Sequence, residues 1–416
     1  MSKESKAYKN LPKKVYIRTF GCQMNLRDSE VIAGLLLEGG FGVTEEEEKA
    51  DAVLFVTCSV RQHAEDKVWS EIGRFSKMVP KPVIGLVGCM AENYKDKAFK
   101  RMQGIDVVVG TNNIGEIPYL LKEVFAHQLI SSLAHQPFLA VSKKERDEVV
   151  YESMFRQEKD SSFVVISEGC DNFCSYCVVP YVRGRLRHRN YKNIIAEIEQ
   201  NIKQGIERVT LLGQNVNAYQ FKSVSQYQEI RILPPPLPSP HQGRAYRSRS
   251  IVNFMQLLKL VNDIDGLREF SFVTSHPKDA SVELFEAMAK LDKLKKYLHL
   301  PFQSGSNRIL ELMKRGYTRE RYLQLAGEYR KIVPQGELTT DIIVGFPSET
   351  EEDFKETLEL VQKVRFNGAY IFKYSPRPHA KAGELPDDVP KIEKERRHRI
   401  LLETQKKISK ELKAKQ

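Results

Sequence analysis

The chain has 416 residues, 41% of them hydrophobic, which is enough for two or three domains with cores of their own. The 65 Lys and Arg residues against 54 Asp and Glu residues give a net charge of +11, which favours a polyanionic partner, although general solubility would also explain it. The polar, basic N-terminus and the lack of an apolar run of about 18 residues exclude a membrane-spanning protein and predict a cytoplasmic one. In that reducing compartment, six cysteines favour metal ligation or thiol chemistry over disulfides.

The first predicted domain, residues 1–125, repeats one plan three times. The runs KVYIRTFGC, ADAVLFVTC and PVIGLVGC are apolar and β-branched, end at a cysteine and precede a helical pattern. Their spacing of about 30 residues predicts strand–crossover–strand units and therefore an α/β domain with a parallel sheet. Because the carboxyl ends of neighbouring parallel strands share one edge, Cys22, Cys58 and Cys89 are expected to converge there. The alternative, three buried structural cysteines, is weakened because each cysteine follows its strand.

The rest of the chain is predicted to contain a linker, a barrel and a terminal helix. Residues 126–160 lack a clear period and suit a linker. Residues 161–392 contain six strand-like runs separated by helical patterns, which predicts a partial (β/α)6 barrel whose polar strand tips gather at one mouth. Within it, residues 221–250 contain PPPLP and no period, which is typical of a flexible insertion. Residues 393–416 form a basic helical pattern.

The run GCDNFCSYC places Cys170, Cys174 and Cys177 directly after the first barrel strand. A structural zinc site needs four ligands, whereas a 4Fe-4S cluster held by three thiolates keeps one iron open for a substrate. Since two separate triads use all six cysteines, the sequence favours two iron–sulfur clusters. Zinc is the alternative, with His63 or His188 as the fourth ligand of a triad.

With Tyr176 before its third cysteine, the array resembles that of the radical S-adenosylmethionine enzymes. Joined to TFGCQMN, VTCSVR and VGCMA upstream and to LHLPFQSGS, DIIVGFPSET and YSPRP downstream, it resembles the methylthiotransferases over nearly the whole chain. TFGCQMN is similar to the tRNA-modifying, MiaB-type branch, whereas the branch that modifies a ribosomal protein has a proline- and lysine-containing version. The resemblance implies that N6-isopentenyladenosine beside the tRNA anticodon is converted to its 2-methylthio derivative.

The resemblance also implies roles for the cysteines and their surroundings. The cluster on Cys170, Cys174 and Cys177 would bind S-adenosylmethionine and generate a radical that takes hydrogen from C2 of the base. The cluster on the other triad, Cys22, Cys58 and Cys89, would carry the sulfur that a second S-adenosylmethionine methylates. Candidate cofactor contacts, with turn chemistry as the alternative, are Tyr176, Gly213, Gln214, Gln303, Ser304, Gly305, Gly345 and Pro347. Candidate tRNA phosphate contacts, with a solvated basic face as the alternative, are Arg183, Arg185, Arg187 and Arg189.

Further expectations concern partners. An electron donor protein such as flavodoxin or ferredoxin is implied, and the chain is expected to act as a monomer. The small C-terminal β-barrel with which this family binds RNA is expected to be missing. One rival interpretation is a methylthiotransferase for threonylcarbamoyl-adenosine tRNA or for a ribosomal protein. The other is a non-catalytic iron–sulfur or zinc protein that binds RNA.

Overall fold

A computed structural model describes residues 12–59, 62–130, 137–142, 145–153, 155–222 and 251–414. In its N-terminal half, six described strands form one parallel sheet in the order β2-β1-β3-β4-β5-β6. The strands are β1 (Lys14–Thr19), β2 (Gly42–Thr44), β3 (Ala52–Thr57), β4 (Val83–Gly88), β5 (Val107–Val109) and β6 (Phe138–Ala140). The helices are α1 (Gln23–Glu38), α2 (Gln62–Phe75), α3 (Cys89–Tyr94), α4 (Lys97–Arg101) and α5 (Ile117–Ile130), with short 3-10 helices at Glu47–Lys49 and Thr111–Glu116. The predicted parallel α/β sheet is therefore confirmed.

The two central strands of this sheet are buried along their whole length. β3 (AVLFVT) and β4 (VIGLVG) are continuous apolar runs, as expected for parallel strands covered on both faces. Alternate residues feed two cores, with Leu54 and Val56 on one side and Val53 and Phe55 on the other. This double burial fixes the sheet and with it the edge at which β1, β3 and β4 end.

The sheet extends beyond the predicted domain boundary. β6 lies within the predicted linker, residues 126–160, and pairs in parallel with β5. A 3-10 helix at Glu148–Glu152 follows, and its Tyr151 is buried in the core of the N-terminal half. A three-residue edge strand is too short to show a period in the sequence, which is why this segment reads as a linker.

The second half is the predicted partial barrel. Its strands are β7 (Ser161–Val165), β8 (Ser167–Glu168), β9 (Arg187–His188), β10 (Arg208–Leu212), β11 (Gln220–Lys222), β12 (Ile251–Asn253), β13 (Glu269–Phe272), β14 (Tyr297–His299), β15 (Glu337–Val344) and β16 (Gly368–Lys373). Its helices are α6 (Val179–Val182), α7 (Tyr191–Lys203), α8 (Phe254–Asn262), α9 (Val282–Lys290), α10 (Asn307–Leu312), α11 (Arg319–Ile332), α12 (Glu351–Val364) and α13 (Lys391–Lys413). Short 3-10 helices lie at Val216–Ala218, Pro277–Asp279 and Lys381–Glu384.

The barrel wall consists of two parallel groups, β13-β10-β7 and β14-β15-β16. A parallel bridge between Phe270 and Leu294 connects the groups, so the six described strands form one curved wall with the helices outside. The helices begin at identifiable caps; Asn253 and Thr350, for example, each form a capping box. β8 and β9 form a small antiparallel pair beside the wall, which the sequence did not suggest.

The last helix is part of the barrel. α13 packs on β16 and α12, and its Leu401 and Ile408 lie in the barrel core. Phe221 and Lys222, the first two residues of the predicted insertion, belong to β11, which pairs with β12. Residues 223–250 lie outside the described part of the chain. None of the helices in the described ranges is both long and apolar enough to cross a membrane.

Candidate active site

The first cysteine triad lies on the loop between β8 and α6, at the mouth of the barrel. Cys174 is buried, and Cys170 and Cys177 are partly buried. The Cys177 amide donates to the Cys174 carbonyl at 2.9 Å, and the Cys170 amide donates to the Gly184 carbonyl at 3.2 Å. Gly169 has a φ of +74°, and a Cβ there would lie 2.1 Å from the Arg185 carbonyl oxygen. Only glycine permits this close approach, which folds the loop back on itself.

The surroundings of the first triad suit thiolates that bind a positively charged group. Burial raises the pKa of Cys170 and raises that of Cys177 to about 12, and the neighbouring thiols add to both effects. The positive charge of Arg315 lowers both pKa values. Arg315 is 5% exposed, and its Nη1 donates to Cys174 Sγ at 3.4 Å and to Tyr176 Oη at 3.3 Å. Since metal binding replaces the thiol proton, the triad fits an iron–sulfur cluster with a fixed cation beside it.

The second triad assembles at the carboxyl edge of the N-terminal sheet, as predicted. Cys22 caps α1, Cys58 follows β3, and Cys89 begins α3 after β4. β1 and β3 are neighbours at the point where the strand order reverses, which is the usual place for a site in such sheets. Gly21 has a φ of +129°, and a Cβ there would lie 2.4 Å from Cys58 Cβ. Glycine therefore allows the first loop to pack against the second cysteine.

The thiols of the second triad differ in acidity. A hydrogen bond with Cys58 and the charge of Arg183 lower the pKa of Cys22 to about 6, although burial acts in the opposite direction. The amino end of a 16-residue helix also favours a thiolate at this position. Burial raises the pKa of Cys89, which Arg183 hydrogen-bonds. The second triad therefore has the buried guanidinium of Arg183 beside its thiols, as the first triad has that of Arg315.

Arg183 connects the two halves of the chain. It follows the first triad along the cluster loop, yet its side chain contacts the second triad and donates to Asp28 of α1 at 2.7 Å. Arg146 donates to the other oxygen of Asp28 at 2.7 Å. Burial raises the pKa of Asp28, but the two guanidiniums outweigh burial and lower it. A buried ionic network therefore locks the cluster loop of the barrel against the N-terminal sheet.

Most of the predicted RNA-binding arginines are not available to RNA. Arg183 and Arg189 are 4% and 6% exposed and are paired with Asp28 and Glu197. Arg187 is partly buried and lies 3.3 Å from Glu168. Arg185, with 72% of its side chain exposed, is accessible, although it pairs with Asp171. The interpretation of the run as a phosphate-binding stripe was wrong for Arg183 and Arg189, because both side chains are buried against the carboxylates of Asp28 and Glu197.

A cavity of about 590 Å³ lies beside the first triad, at the junction of the two halves. Tyr176, Cys177 and Gln303 line it from the barrel, and Gln62 of α2 lines it from the N-terminal half. Arg377 donates to Gln62 Oε1 at 2.9 Å and closes one side. Gln303 is 8% exposed, and within the described residues its Oε1 has no hydrogen-bond partner. Two of the predicted cofactor contacts, Tyr176 and Gln303, therefore face one cavity.

Two more of the predicted cofactor contacts serve packing on α12. A Cβ on Gly305 would lie 2.6 Å from Thr357 Cα, and the Gly305 amide donates to Thr357 Oγ1 at 2.9 Å. Ser304 is buried and lies 3.5 Å from the same hydroxyl. Both residues face α12, which favours the alternative of turn and packing chemistry, and their cofactor contacts stay a prediction.

The remaining predicted contacts also lie in tight turns. The Gly345 amide donates to the Glu349 carboxylate, and a Cβ on Gly345 would collide with Lys394 of α13. Pro347 is buried in the same turn. A Cβ on Gly213 would lie 2.4 Å from Ser167 Oγ of β8. Gln214 is partly buried, and its Oε1 has no partner within the described ranges. The alternative interpretation, turn chemistry, therefore describes Gly213 and Gly345.

The geometry bears on zinc as the alternative metal. His188 packs edge-on against Tyr219, with ring centroids 5.3 Å apart, and the side chain of His63 lies outside the described residues. In the described part of the chain, no three His, Cys, Asp or Glu side chains lie close enough to hold a single metal ion. A 4Fe-4S cluster binds each thiolate at a different iron, so its ligands lie further apart than those of one zinc ion.

A partial βα barrel with three cysteines on the loop after its first strand defines a radical S-adenosylmethionine protein. Residues 164–361 match the Radical SAM superfamily, and residues 14–110 match the Uncharacterized protein family UPF0004. The chain belongs to the tRNA-2-methylthio-N(6)-dimethylallyladenosine synthase family. It is 42% identical to the synthase of that name from Moorella thermoacetica, over 94% of this chain and 82% of that relative. It is also 42% identical to the one from Carboxydothermus hydrogenoformans, over 96% of this chain and 85% of that relative.

Solved structures of radical S-adenosylmethionine enzymes share the fold. The methyltransferase TsrM from Kitasatospora setae superimposes with a TM-score of 0.56 at 14% identity, covering 89% of this chain and 75% of that one. The cobalamin-dependent enzyme OxsB gives a TM-score of 0.51 at 12% identity, covering 98% of this chain and 57% of that one. At such low identity these likenesses describe the fold alone. Membership of the radical S-adenosylmethionine superfamily brings a 4Fe-4S cluster and S-adenosylmethionine as cofactors.

Proposed function

We propose that this protein methylthiolates C2 of N6-isopentenyladenosine next to the anticodon of tRNA. The observation that carries the proposal is the pair of cysteine triads, one on each half of the chain, connected through Arg183, with a cavity beside the first triad that residues of both halves line. The names of relatives that cover most of the chain support the same reaction. A net charge of +11 suits a polyanionic RNA partner.

The proposed ligands are the six cysteines, and the chemistry is divided between them. When bound, a 4Fe-4S cluster with S-adenosylmethionine supplies the radical that removes hydrogen from an unreactive ring carbon. Cys170, Cys174 and Cys177 would hold this cluster, and Arg315 fixes their loop by donating to Cys174 and Tyr176. Cys22, Cys58 and Cys89 would hold a second cluster that delivers sulfur, and Arg183 supplies a cation beside them.

The remaining parts of the proposal concern partners and organisation. The protein would act in the cytoplasm as a monomer and receive electrons from a flavodoxin or ferredoxin. The barrel would be the radical-generating unit and the N-terminal sheet the sulfur-delivering unit. Because Arg183, Asp28 and Arg146 join these units through buried ion pairs, the two units would move little relative to one another during the reaction.

The proposal is tested with protein reconstituted anaerobically with iron and sulfide. We expect about eight irons per chain and formation of 2-methylthio-N6-isopentenyladenosine in tRNA, measured by mass spectrometry of the nucleosides. A variant with Cys22, Cys58 and Cys89 changed to Ala should keep about four irons and cleave S-adenosylmethionine, but transfer no methylthio group. The matched variant of Cys170, Cys174 and Cys177 should lose cleavage as well.

Two outcomes would overturn the proposal. If the first triple variant still modified tRNA, the division of roles between the triads would be wrong. If the wild-type protein left this tRNA unmodified but acted on threonylcarbamoyl-adenosine tRNA or on a ribosomal protein, the substrate would be wrong. Zinc in place of iron would favour a non-catalytic RNA-binding protein.

A further inference from the structure

The inner face of β14, β15 and β16 carries a polar and aromatic cluster that the proposed chemistry does not use. Along these strands Leu298, Leu338 and Ile342 are buried in the core beneath the helices. Side chains alternate along a strand, so the intervening residues face the interior of the barrel. These inward residues are Tyr297, His299, Thr339, Asp341 and Tyr370. The strand register places His299 beside Thr339 and Asp341 beside Tyr370.

Polar contacts join four of these residues into one chain. His299 Nε2 lies 3.4 Å from Asp341 Oδ2, and His299 Nδ1 lies 3.0 Å from Thr339 Oγ1. Thr339 in turn donates to Tyr297 Oη at 2.8 Å. Both ring nitrogens of His299 are thus engaged, and its orientation is fixed. Asp341 keeps 27% of its side chain exposed, and no donor in the described part of the chain reaches its Oδ1.

Tyr370 places an accessible aromatic face beside this chain. It is 56% exposed, although it lies on β16, the last strand of the wall. Its ring stands at 72° to the His299 ring, with centroids 6.0 Å apart. The edge of one ring thus meets the face of the other, and more than half of Tyr370 stays accessible. An exposed aromatic ring beside a fixed hydrogen-bonding group is the arrangement by which proteins hold an unstacked nucleobase.

The cluster reaches the cavity beside the first cysteine triad through one of its residues, Asp341. Asp341 lines that cavity together with Tyr176, Cys177 and Gln303. The Gln303 side chain is more than nine-tenths buried, and its Oε1 has no partner among the described residues. Two free acceptors, Asp341 Oδ1 and Gln303 Oε1, therefore face one space. These two acceptors favour a ligand that donates N–H groups.

We propose that Tyr370, His299 and Asp341 form the pocket that receives the target adenine of the RNA. The base stacks on Tyr370, and its exocyclic N6–H donates to Asp341, which His299 holds in place. N6-alkylated adenine keeps one N6–H, so the modified base satisfies the same acceptor. His299 is a positioning residue that acts through Asp341. This inference rests on the proposed function, since it assigns the residues that select its substrate.

The test compares the binding of three anticodon stem-loop RNAs. They carry N6-isopentenyladenosine, purine riboside without an amino group, or no base at the target position. Wild-type protein should bind the isopentenyladenosine RNA about tenfold more tightly than the abasic RNA, because stacking of one base on an aromatic residue contributes on that scale. Tyr370→Ala should bind these two RNAs equally, whereas Tyr370→Phe should keep the preference because stacking needs no hydroxyl. Tyr119→Ala, which removes a tyrosine that is 65% exposed on α5, is the matched control.

Asp341 is tested by the second comparison. Asp341→Val removes both acceptor oxygens and suits a β-strand, so it should fold, keep the preference over the abasic RNA and lose most of the preference over purine riboside. It should form 5′-deoxyadenosine from S-adenosylmethionine but transfer the methylthio group more slowly. If both Tyr370→Ala and Asp341→Val discriminated among the RNAs as the wild type does, the pocket would be assigned wrongly. A wild-type protein that transferred the methylthio group but bound all three RNAs equally would also contradict the pocket, whereas a wild-type protein that transferred no methylthio group would contradict the proposed function.

Discussion

Arg183 of the barrel donates a 2.7 Å hydrogen bond to Asp28 of the N-terminal sheet, and both residues are buried. Both groups are charged, and desolvation of an unpaired ion is more costly than that of a pair. Arg146 shares the same carboxylate at 2.7 Å, so the contact is a three-member network. Because Arg183 also contacts Cys89, the joint between the halves lies directly beside the second triad.

The first prediction concerns the stability of that joint. Arg183→Ala should lower the free energy of unfolding of the N-terminal half by about 3–5 kcal/mol, since it leaves Asp28 with half of its compensation. Trp69 of α2, the single tryptophan of the chain, reports on this half by fluorescence during urea unfolding. Arg185→Ala on the same loop removes an exposed side chain and should change stability by less than about 0.5 kcal/mol. Equal effects of both variants would contradict the proposed importance of the buried pair.

The sequence predicts the cysteines of the site better than their counter-charges. Cys22, Cys58 and Cys89 are found because each ends an apolar run, and the strand pattern alone places them at one edge. Arg315 is missed because it is remote from Cys174 along the chain and meets it only after the barrel closes. Arg183 is identified in the sequence but as an RNA contact, because an alternating arginine run has the same sequence pattern whether its side chains face solvent or buried carboxylates. Burial is a property of the packed halves and has no local signal.

The second prediction concerns Arg315, whose positive charge lies beside Cys174. Adding an electron to a cluster is easier near a cation, so Arg315→Ala should lower the reduction potential of the cluster at the first triad. We expect a shift of at least about 60 mV, which is tenfold in a one-electron equilibrium. Redox titration followed by electron paramagnetic resonance measures it in the variant that lacks the second triad.

Two further variants make this test specific. Arg315→Lys keeps the charge and should restore much of the potential, whereas a purely structural role would not be rescued. Lys314→Ala removes the exposed charge next to it in sequence and should leave the potential unchanged. A wild-type potential in Arg315→Ala would show that this guanidinium only packs the loop.

The third prediction concerns the free energy of unfolding at low pH. Burial raises the pKa of Asp353, but hydrogen bonds from Arg308, Ser306 and Thr350 outweigh burial and lower it to about 2. Because the folded pKa lies below the unfolded value of about 3.9, this carboxylate stabilises the fold above pH 4, and that contribution is lost as the pH falls towards 2.

Asp353→Asn should therefore cost about 1–2 kcal/mol at pH 7, and its difference from the wild type should shrink progressively below pH 4. Urea unfolding followed by far-ultraviolet circular dichroism measures both values. Glu352→Gln changes the exposed neighbour on α12 and should have little effect at either pH. A difference that did not depend on pH would mean that Asp353 acts only as a cap.

The fourth prediction concerns RNA contacts on the cluster loop. Because Arg183 and Arg189 are buried, Arg185 is the member of the run whose side chain can reach a phosphate without unfolding the loop. Each phosphate contact releases counterions, so Arg185→Ala should reduce the slope of log affinity against log salt by about 0.7–0.9 for tRNA binding. Arg185→Lys keeps the charge and should leave the slope unchanged. Filter binding across a series of salt concentrations measures the slope. A wild-type slope in Arg185→Ala would assign this arginine to its ion pair with Asp171 and not to RNA.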